Sequence, residues 1–256
     1  MEIDHFSHGW LTPVVAYVMS FTGSLLGLRC MSRVRSGSPF DGWLIAASVA
    51  IGGTGIWVMH FIAMLGFRIN GAAIKYDVPV TLVSAVIAMI VVWLGLCLAQ
   101  QRRLGGQSLL VGGVVTGIGV GAMHYAGMYA MKTDVELGYD WATVALSLVI
   151  AVIAATAALW FTLNVRGTLA TVGAALAMGV AVAGMHYTGM YAMHVGEHHQ
   201  MAPSGAGAAQ LLTPLIVGVS LMTVGMLFHL GLTEVGGGGG ALSRRPATDN
   251  YWPTRD

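Results

Sequence analysis

The chain has 256 residues, of which 56% are hydrophobic and only 9% are charged, and its formal net charge is +1. Soluble domains carry about 25% charged residues, so this composition excludes an ordinary soluble domain and indicates an integral membrane protein. The sequence has no basic amphipathic tract and no zinc-finger spacing, so we expect no nucleic-acid partner.

Seven apolar stretches are long enough to cross a bilayer as helices, because about 20 residues span a hydrocarbon core of ~30 Å. In chain order the predicted spans are Trp10–Leu28, Trp43–Phe67, Val78–Ala99, Ser108–Met131, Trp141–Leu163, Thr168–Met193 and Leu211–Leu232. We therefore predict an all-α membrane protein, a seven-transmembrane helix bundle over residues 1–235. Five glycines, Gly236 to Gly240, predict a flexible linker, so residues 236–256 are expected to form a linker and a short cytoplasmic tail.

Basic residues are distributed unevenly between the predicted loops. Nine lie after spans one, three and five or in the tail, whereas the other loops hold only Arg68, Lys75 and Lys132. Basic loops stay in the cytoplasm, so we predict a bacterial inner-membrane protein with a periplasmic N-terminus and a cytoplasmic C-terminus. Spans two, four and six then all run from the inside to the outside.

A Met-His-aromatic motif occurs on each of these three spans, at Met59–Phe61, Met123–Tyr125 and Met185–Tyr187. Each copy has a second Met four residues after the His, and a Gly seven residues before it that would let a neighbouring helix approach closely. These glycines are Gly53, Gly117 and Gly179. We interpret the pattern as a two-helix repeat used three times, with its motifs near the periplasmic ends of the helices.

The three histidines are predicted to share a metal site. A single His in a membrane helix is often a hydrogen-bonded core residue, but burying an ionisable side chain in lipid is costly. His60, His124 and His186 recur in matched contexts at one depth, on helices of the same direction. Packing alone explains this poorly, so we predict that all three are ligands of one metal.

Methionines accompany each histidine, and thioether beside imidazole suits copper, especially Cu(I), although a Met stripe alone is often core filling. The Met four residues after each His shares its helix face, whereas the Met one residue before lies about 100° away. Zinc fits less well because no Asp or Glu lies inside a predicted span, and haem held by two axial histidines is another alternative. The candidate soft ligands are Met64, Met128 and Met190, followed by the less well aimed Met59, Met123 and Met185.

At these residues the sequence resembles the MHYT domain family of bacterial membrane sensors. The third copy, Met185–Thr188, matches all four letters of the motif, Met123–Ala126 matches three and Met59–Ile62 matches two. The resemblance implies six or seven spans, copper held by Met, His and Tyr, and sensing of oxygen, carbon monoxide or nitric oxide. Phe61 departs from the motif, which excludes Tyr ligation in the first copy. Relatives are commonly fused to cyclic-di-GMP domains, and we expect this chain to be a stand-alone domain without an output domain.

The predicted function is therefore a copper-binding membrane sensor of a diatomic gas or of redox state that signals through a separate cytoplasmic protein. A three-His site with an open position also describes catalytic metal centres, so a membrane copper metalloenzyme for oxidation chemistry is the alternative. Copper handling or delivery is a further alternative. A substrate-sized pocket at the site would favour an enzyme, and a closed site would favour a sensor. The sequence leaves the oligomeric state open.

Overall fold

Seven long helices form the bundle of the computed structural model, which describes residues 3–37, 42–198 and 203–238. All seven are long and apolar enough to cross a membrane, which confirms the predicted seven-helix bundle. In chain order they are α1 (Leu11–Arg35), α2 (Trp43–Leu65), α3 (Val78–Ala99), α4 (Ser108–Tyr129), α5 (Trp141–Asn164), α6 (Thr168–Tyr191) and α7 (Ala208–Gly238).

Two helices continue past the ends that hydropathy predicts. Helix α1 runs on from the predicted end at Leu28 to Arg35, and α7 runs on to Gly238. Hydropathy marks the apolar part of a helix, and a helix can continue into polar surroundings beyond it. The first three glycines of the predicted linker are therefore helical, and residues 239–256 lie outside the described residues.

Aspartates start the second helix in two of the three repeats. The carboxylate of Asp77 accepts a hydrogen bond from the backbone N–H of Val80 at 3.1 Å at the start of α3. Asp140 accepts from both the backbone N–H and the hydroxyl of Thr143, each at 2.8 Å, at the start of α5. Such caps satisfy backbone donors that a helix start leaves unpaired. The same hydrogen bonds lower the pKa of the Asp140 carboxyl.

Short antiparallel strands cover the end of the bundle at which the motif helices finish. They come from the N-terminus and from the loops after α2, α4 and α6, and apolar spans do not predict them. The first pair is β1 (Ile3–Asp4) with β2 (Arg68–Ile69). The others are β3 (Ile74–Tyr76) with β4 (Met131–Thr133) and β7 (Ala206–Gly207), and β5 (Val135–Tyr139) with β6 (Met193–His198).

Helix α2 is the most buried of the motif helices. In its most apolar stretch 83% of the residues are buried, compared with 44% in the span of α4 and 28% in α6. A buried hydrogen bond of 2.6 Å between the hydroxyls of Thr54 and Thr223 joins α2 to α7. Residues Val49–Val58 of α2 are π-helical and lie between α-helical turns. Segments of this kind are rare and often lie near functional sites.

Glycines let α4 approach α5 closely. Gly113, Gly117 and Gly121 form one ridge of α4, and a Cβ added at any of them would collide with α5. At Gly117 that atom would lie 2.5 Å from Cα of Val152. The close packing expected from these small residues is therefore present between the two helices.

The first repeat uses a different glycine for its helix contact. A Cβ at Gly53 would meet side chains only at 3.8–3.9 Å, whereas a Cβ at Gly52 would lie 2.6 Å from the carbonyl oxygen of Ala88. A π-helix has more residues per turn than an α-helix, which moves the facing position. The prediction that Gly53 provides a close helix approach is wrong for this reason. At Gly179 the Tyr17 ring would lie 3.0 Å from an added Cβ.

Candidate metal centre

The three motif histidines meet in the interior of the bundle, one from each of α2, α4 and α6. Nδ1 of His60 lies 2.9 Å from Nδ1 of His186 and 3.1 Å from Nδ1 of His124. Their ring centroids are 4.9, 4.9 and 5.1 Å apart, and the ring planes cross at 75°, 84° and 90°. The rings therefore stand edge to face around one centre, with Nδ1 atoms turned inward.

This histidine triad is buried and its donor geometry suits a metal ion. Each of the three side chains is 1% exposed. Within the described part of the chain, the triad is the one group of three or more His, Cys, Asp or Glu whose ligand atoms all lie within 4.8 Å of one another. Three nitrogens at ~2.0–2.1 Å from one ion would be roughly 3.3–3.6 Å apart, so small shifts would bring them to ligand positions. The triad could hold a metal ion through its Nδ1 atoms.

The opposite ring nitrogens of the triad lack a hydrogen-bond partner in the described part of the chain. This holds for Nε2 of His60, His124 and His186 among the described residues. A buried polar atom without a partner costs roughly 1–3 kcal/mol. Three such atoms in one cluster are therefore a cost to the fold, and a metal ion held through the Nδ1 atoms would leave that cost in place.

Two glycines make room for the imidazole rings. Nε2 of His60 lies against Gly127 and Nε2 of His124 lies against Gly189, and a Cβ on either glycine would overlap the ring. Each glycine comes three residues after the His of its own copy, so one copy accommodates the His of another. These glycines are not among the predicted site residues, although a Gly three residues after the His is present in both the second and the third copy. The first copy has Ala63 at this position.

The candidate methionines lie on both sides of the triad. Met64 and Met128 line cavities at the strand-covered end, whereas Met185 lines a cavity deeper in the bundle. Burial does not separate the better aimed methionines from the others, and thioether ligation stays a prediction. The exposed fractions are 1% for Met59, Met64, Met123 and Met128, 3% for Met185 and 2% for Met190.

The aromatic residue after each histidine packs edge to face against that histidine. Centroid separations are 4.8 Å to Phe61, 5.0 Å to Tyr125 and 5.0 Å to Tyr187. The Tyr125 hydroxyl is 2.7 Å from the hydroxyl of Ser147, whereas the buried Tyr187 hydroxyl has no partner among the described residues. These rings support the triad, as packing residues would.

The N-terminal segment lies over the third copy of the motif. The His5 ring is 4.8 Å from the Tyr191 ring and 5.6 Å from that of Phe67, and the Phe6 ring is 5.7 Å from Tyr187. Burial lowers the pKa of His5, and the nearby Asp4 carboxylate opposes this shift. The segment and the strands together cover the triad on the side where the motif helices end.

Comparison with known protein families finds three consecutive copies of the MHYT repeat, described as "Bacterial signalling protein N terminal repeat". The matches cover residues 53–112, 117–175 and 179–237. Each match begins at the glycine seven residues before a motif His, which confirms the predicted threefold internal repeat.

Relatives with curated descriptions are signalling proteins much longer than this chain. The chain is 39% identical over 184 residues to the bifunctional diguanylate cyclase/cyclic di-GMP phosphodiesterase MucR of Pseudomonas aeruginosa, which covers 70% of this chain and 26% of MucR. It is 37% identical over 147 residues to the cyclic di-GMP phosphodiesterase NbdA of the same species, covering 55% and 19% of the two chains. With the signalling protein YkoW of Bacillus subtilis the identity is 29% over 215 residues, covering 80% and 26%.

The chain spans about a quarter of the length of MucR and YkoW. No solved structure matches it. The repeat matches extend over most of the chain and contain all three histidines of the triad. The chain therefore belongs to the MHYT family of bacterial signalling proteins.

Proposed function

We propose that this protein is an inner-membrane sensor that binds copper through His60, His124 and His186 and responds to a diatomic gas or to redox state. The observation that carries the proposal is the convergence of three buried Nδ1 atoms, with separations of 2.9 and 3.1 Å from His60 to its two partners. Copper bound there would supply a redox-active ion with affinity for small diatomic molecules.

The donor set favours copper over haem and zinc. Two axial histidines of a haem lie on opposite sides of the macrocycle, whereas Nδ1 of His60 contacts Nδ1 of both His124 and His186, which leaves no room for one. The six candidate methionines are all buried on the same helices and provide soft surroundings, and the described cluster contains no carboxylate or thiolate. Imidazole with thioether suits copper better than zinc.

A closed site supports sensing rather than substrate turnover. Each histidine of the triad is 1% exposed, so a substrate of ordinary size has no direct access. A copper metalloenzyme is the second candidate because a cavity of about 750 Å³ at the strand-covered end is lined by Met64, one helical turn after His60. None of the three histidines lines that cavity, which ranks the enzyme below the sensor.

A sensor must also change its shape in response to its ligand. A ligand shifts only an equilibrium whose two states it distinguishes, so a change at the triad must alter how α2, α4 and α6 pack. The π-helical segment of α2 ends at Val58, two residues before His60, and would respond directly to movement of that ring. We propose that the change reaches a separate cytoplasmic signalling protein, in line with the signalling relatives.

Copper stoichiometry in protein purified without a His tag tests the proposal. We expect about one copper per chain in the wild type, and strong loss in His124→Ala. The exposed His194 lies outside the triad, so His194→Ala serves as the matched control and should retain copper. A wild type that takes up no copper, or a His124→Ala variant with unchanged copper, would contradict the proposal.

Gas titration then separates the two candidate functions. Carbon monoxide added to the reduced, copper-loaded protein, or nitric oxide added to either redox state, should change its optical or electron paramagnetic resonance spectrum. A sensor gives this change without consuming an organic substrate. Sustained oxygen consumption with an added organic reductant would instead favour the metalloenzyme.

A further inference from the structure

An apolar cavity of about 50 Å³ lies below the histidine triad, on the side away from the strands. Its lining includes the residue four positions before each motif His, namely Ile56, Val120 and Val182, together with Met185. Helices rise about 1.5 Å per residue, so this layer lies roughly 6 Å below the triad. The cavity is therefore central to the three repeats and lies one layer below the triad, whose histidines are not among its lining residues.

Small side chains of α5 leave this space open. Ala151, Ala154, Ala155 and Ala158 line the cavity from one face of α5, at spacings of three and four residues. Leu or Phe at any of these positions would occupy the volume that the alanines leave. The cavity thus follows from a run of small residues in the sequence of α5.

The residues that line the cavity offer a water molecule few hydrogen-bond partners. Of its three hydroxyl residues, Thr116 donates to the carbonyl oxygen of Val91 at 3.4 Å and Thr162 donates to that of Leu159 at 2.7 Å. An ordered water needs two to four polar partners, and apolar cavities without them stay dry and bind small apolar molecules. A small apolar occupant therefore suits this cavity better than water.

The cavity reaches the lipid-facing surface at one seam. Three of its lining residues are partly exposed, Ala154 and Ala158 on α5 and Val182 on α6, whereas the other lining residues are buried. All three are near the middle of their helices, where a bilayer presents hydrocarbon. Apolar molecules prefer such surroundings to water, so the seam faces the phase in which a dissolved diatomic gas is concentrated.

We propose that this cavity is the chamber through which a diatomic gas reaches the triad. Dioxygen, carbon monoxide or nitric oxide passes from the bilayer through the seam between α5 and α6 and approaches the triad from its inner side. The volume suits a molecule of two heavy atoms and is far below the several hundred Å³ that larger ligands occupy. This role rests on the proposed sensor function, but occupancy of the cavity does not require the metal.

Xenon binding to the metal-free protein tests the chamber independently of copper. Xenon is the probe because it occupies dry apolar cavities. We expect xenon-129 magnetic resonance of the detergent-solubilised protein to report one saturable site, weakened at least about 10-fold by the cavity-filling substitution Ala155→Leu. Ala157, on the same helix, is exposed and does not line the cavity, so Ala157→Leu is the matched control.

Val182→Phe gives a second test if Ala155→Leu fails to fold. Val182 is only partly buried, so the seam can accommodate a larger side chain there, and this variant should fold while narrowing the opening and slowing xenon exchange. The chamber is overturned if the wild type binds no xenon, if no seam or cavity variant alters xenon binding, or if a lipid acyl chain occupies the space.

Flash photolysis of carbon monoxide from reduced, copper-loaded protein links the chamber to the sensor. We expect Val182→Phe to lower the bimolecular rebinding rate at least about 10-fold, and Ala157→Leu to leave it unchanged. If the protein binds xenon but neither copper nor a gas, the proposed function is overturned, although the cavity itself is confirmed. Carbon monoxide rebinding that neither Val182→Phe nor Ala155→Leu alters would overturn the chamber alone.

Discussion

The first repeat and the two later repeats each contribute one equivalent histidine to the triad, but the helices that carry these histidines have different surroundings. Helix α2 is enclosed by its neighbours and contains a π-helical segment, whereas α4 and α6 are regular α-helices with more exposed surface. In α2 Phe61 is 0% exposed, while the equivalent Tyr125 and Tyr187 are half-buried.

The departures of the first copy from the motif follow its burial. Phe61 contacts the Trp57 ring at 5.0 Å, and the indole N–H of Trp57 donates to Ser84 at 3.0 Å. In the second repeat Tyr125 itself pairs with Ser147. A phenol at position 61 would need a partner in an enclosed site, so Phe is the residue that this site tolerates. The histidine is common to all three copies, and its neighbours adapt to the local environment.

The largest effect, on copper affinity, is expected from substitutions that fill the space beside the imidazole rings. In Gly127→Ala the new Cβ would overlap Nε2 of His60, and in Gly189→Ala it would overlap Nε2 of His124. Displaced ligands bind metal less well, and lost support of a ligand typically costs 10–100-fold in affinity. We expect a decrease of roughly this size in copper affinity, measured by competition with a chelator of known affinity.

Gly184→Ala provides the control for this experiment. Gly184 is exposed on α6, close in sequence to His186, and an added Cβ would meet nothing within 4 Å. It should bind copper like the wild type. Unchanged copper affinity in both Gly127→Ala and Gly189→Ala would show that these glycines do not position the triad.

The π-helix of α2 predicts which of two adjacent glycines tolerates a methyl group. A Cβ at Gly52 would collide with the backbone of α3, so Gly52→Ala should destabilise the protein toward the upper end of the roughly 1–3 kcal/mol typical of overpacking. Gly53→Ala makes only ordinary contacts and should be neutral or slightly stabilising. Unfolding in sodium dodecyl sulfate measures both, and the reverse order would contradict the π-helical register.

Restoring the motif tyrosine in the first copy should destabilise the protein somewhat less than Gly52→Ala does. Phe61→Tyr places a hydroxyl in a fully buried site, and a buried polar group without a partner costs roughly 1–3 kcal/mol. The converse change, Tyr125→Phe, removes one hydrogen bond and should cost only about 0.5–1.5 kcal/mol. Comparable stability of Phe61→Tyr and the wild type would refute the link between burial and the departure from the motif.

The smallest effect on stability is expected from loss of the Asp140 cap at the start of α5, which corresponds to the Asp77 cap of α3 in the first repeat. Hydrogen bonds from Thr143 lower the pKa of Asp140, so the folded state favours its ionised carboxylate. The stabilisation that the ionised Asp140 carboxylate gives the folded protein is complete above the pKa of this group in the unfolded chain. It is lost as the pH falls through the lower pKa of the group in the folded protein. The melting temperatures of the wild type and Asp140→Ala should therefore differ at neutral pH and converge in acid. A difference that persists below the lowered pKa would contradict this account.

Apolar runs and the repeated motif predict much of this molecule. The seven spans follow from hydropathy, and the matched contexts of His60, His124 and His186 predict that they meet. The π-helix of α2 has no such signal, because it depends on how neighbouring helices enclose the segment. Gly127 and Gly189 have a signal in the sequence, but their role appears only when an imidazole from another helix lies against them.

The ligand set of bound copper tests the central claim most directly. X-ray absorption and pulsed electron paramagnetic resonance on copper-loaded wild-type protein count the coordinating imidazoles and detect any coordinating sulfur. We predict three histidine nitrogens per copper, decreasing to two in any single-histidine variant of the triad that still retains the ion. A copper ion held by sulfur alone, or an imidazole count unchanged by substitution of His60, His124 or His186, would contradict the account.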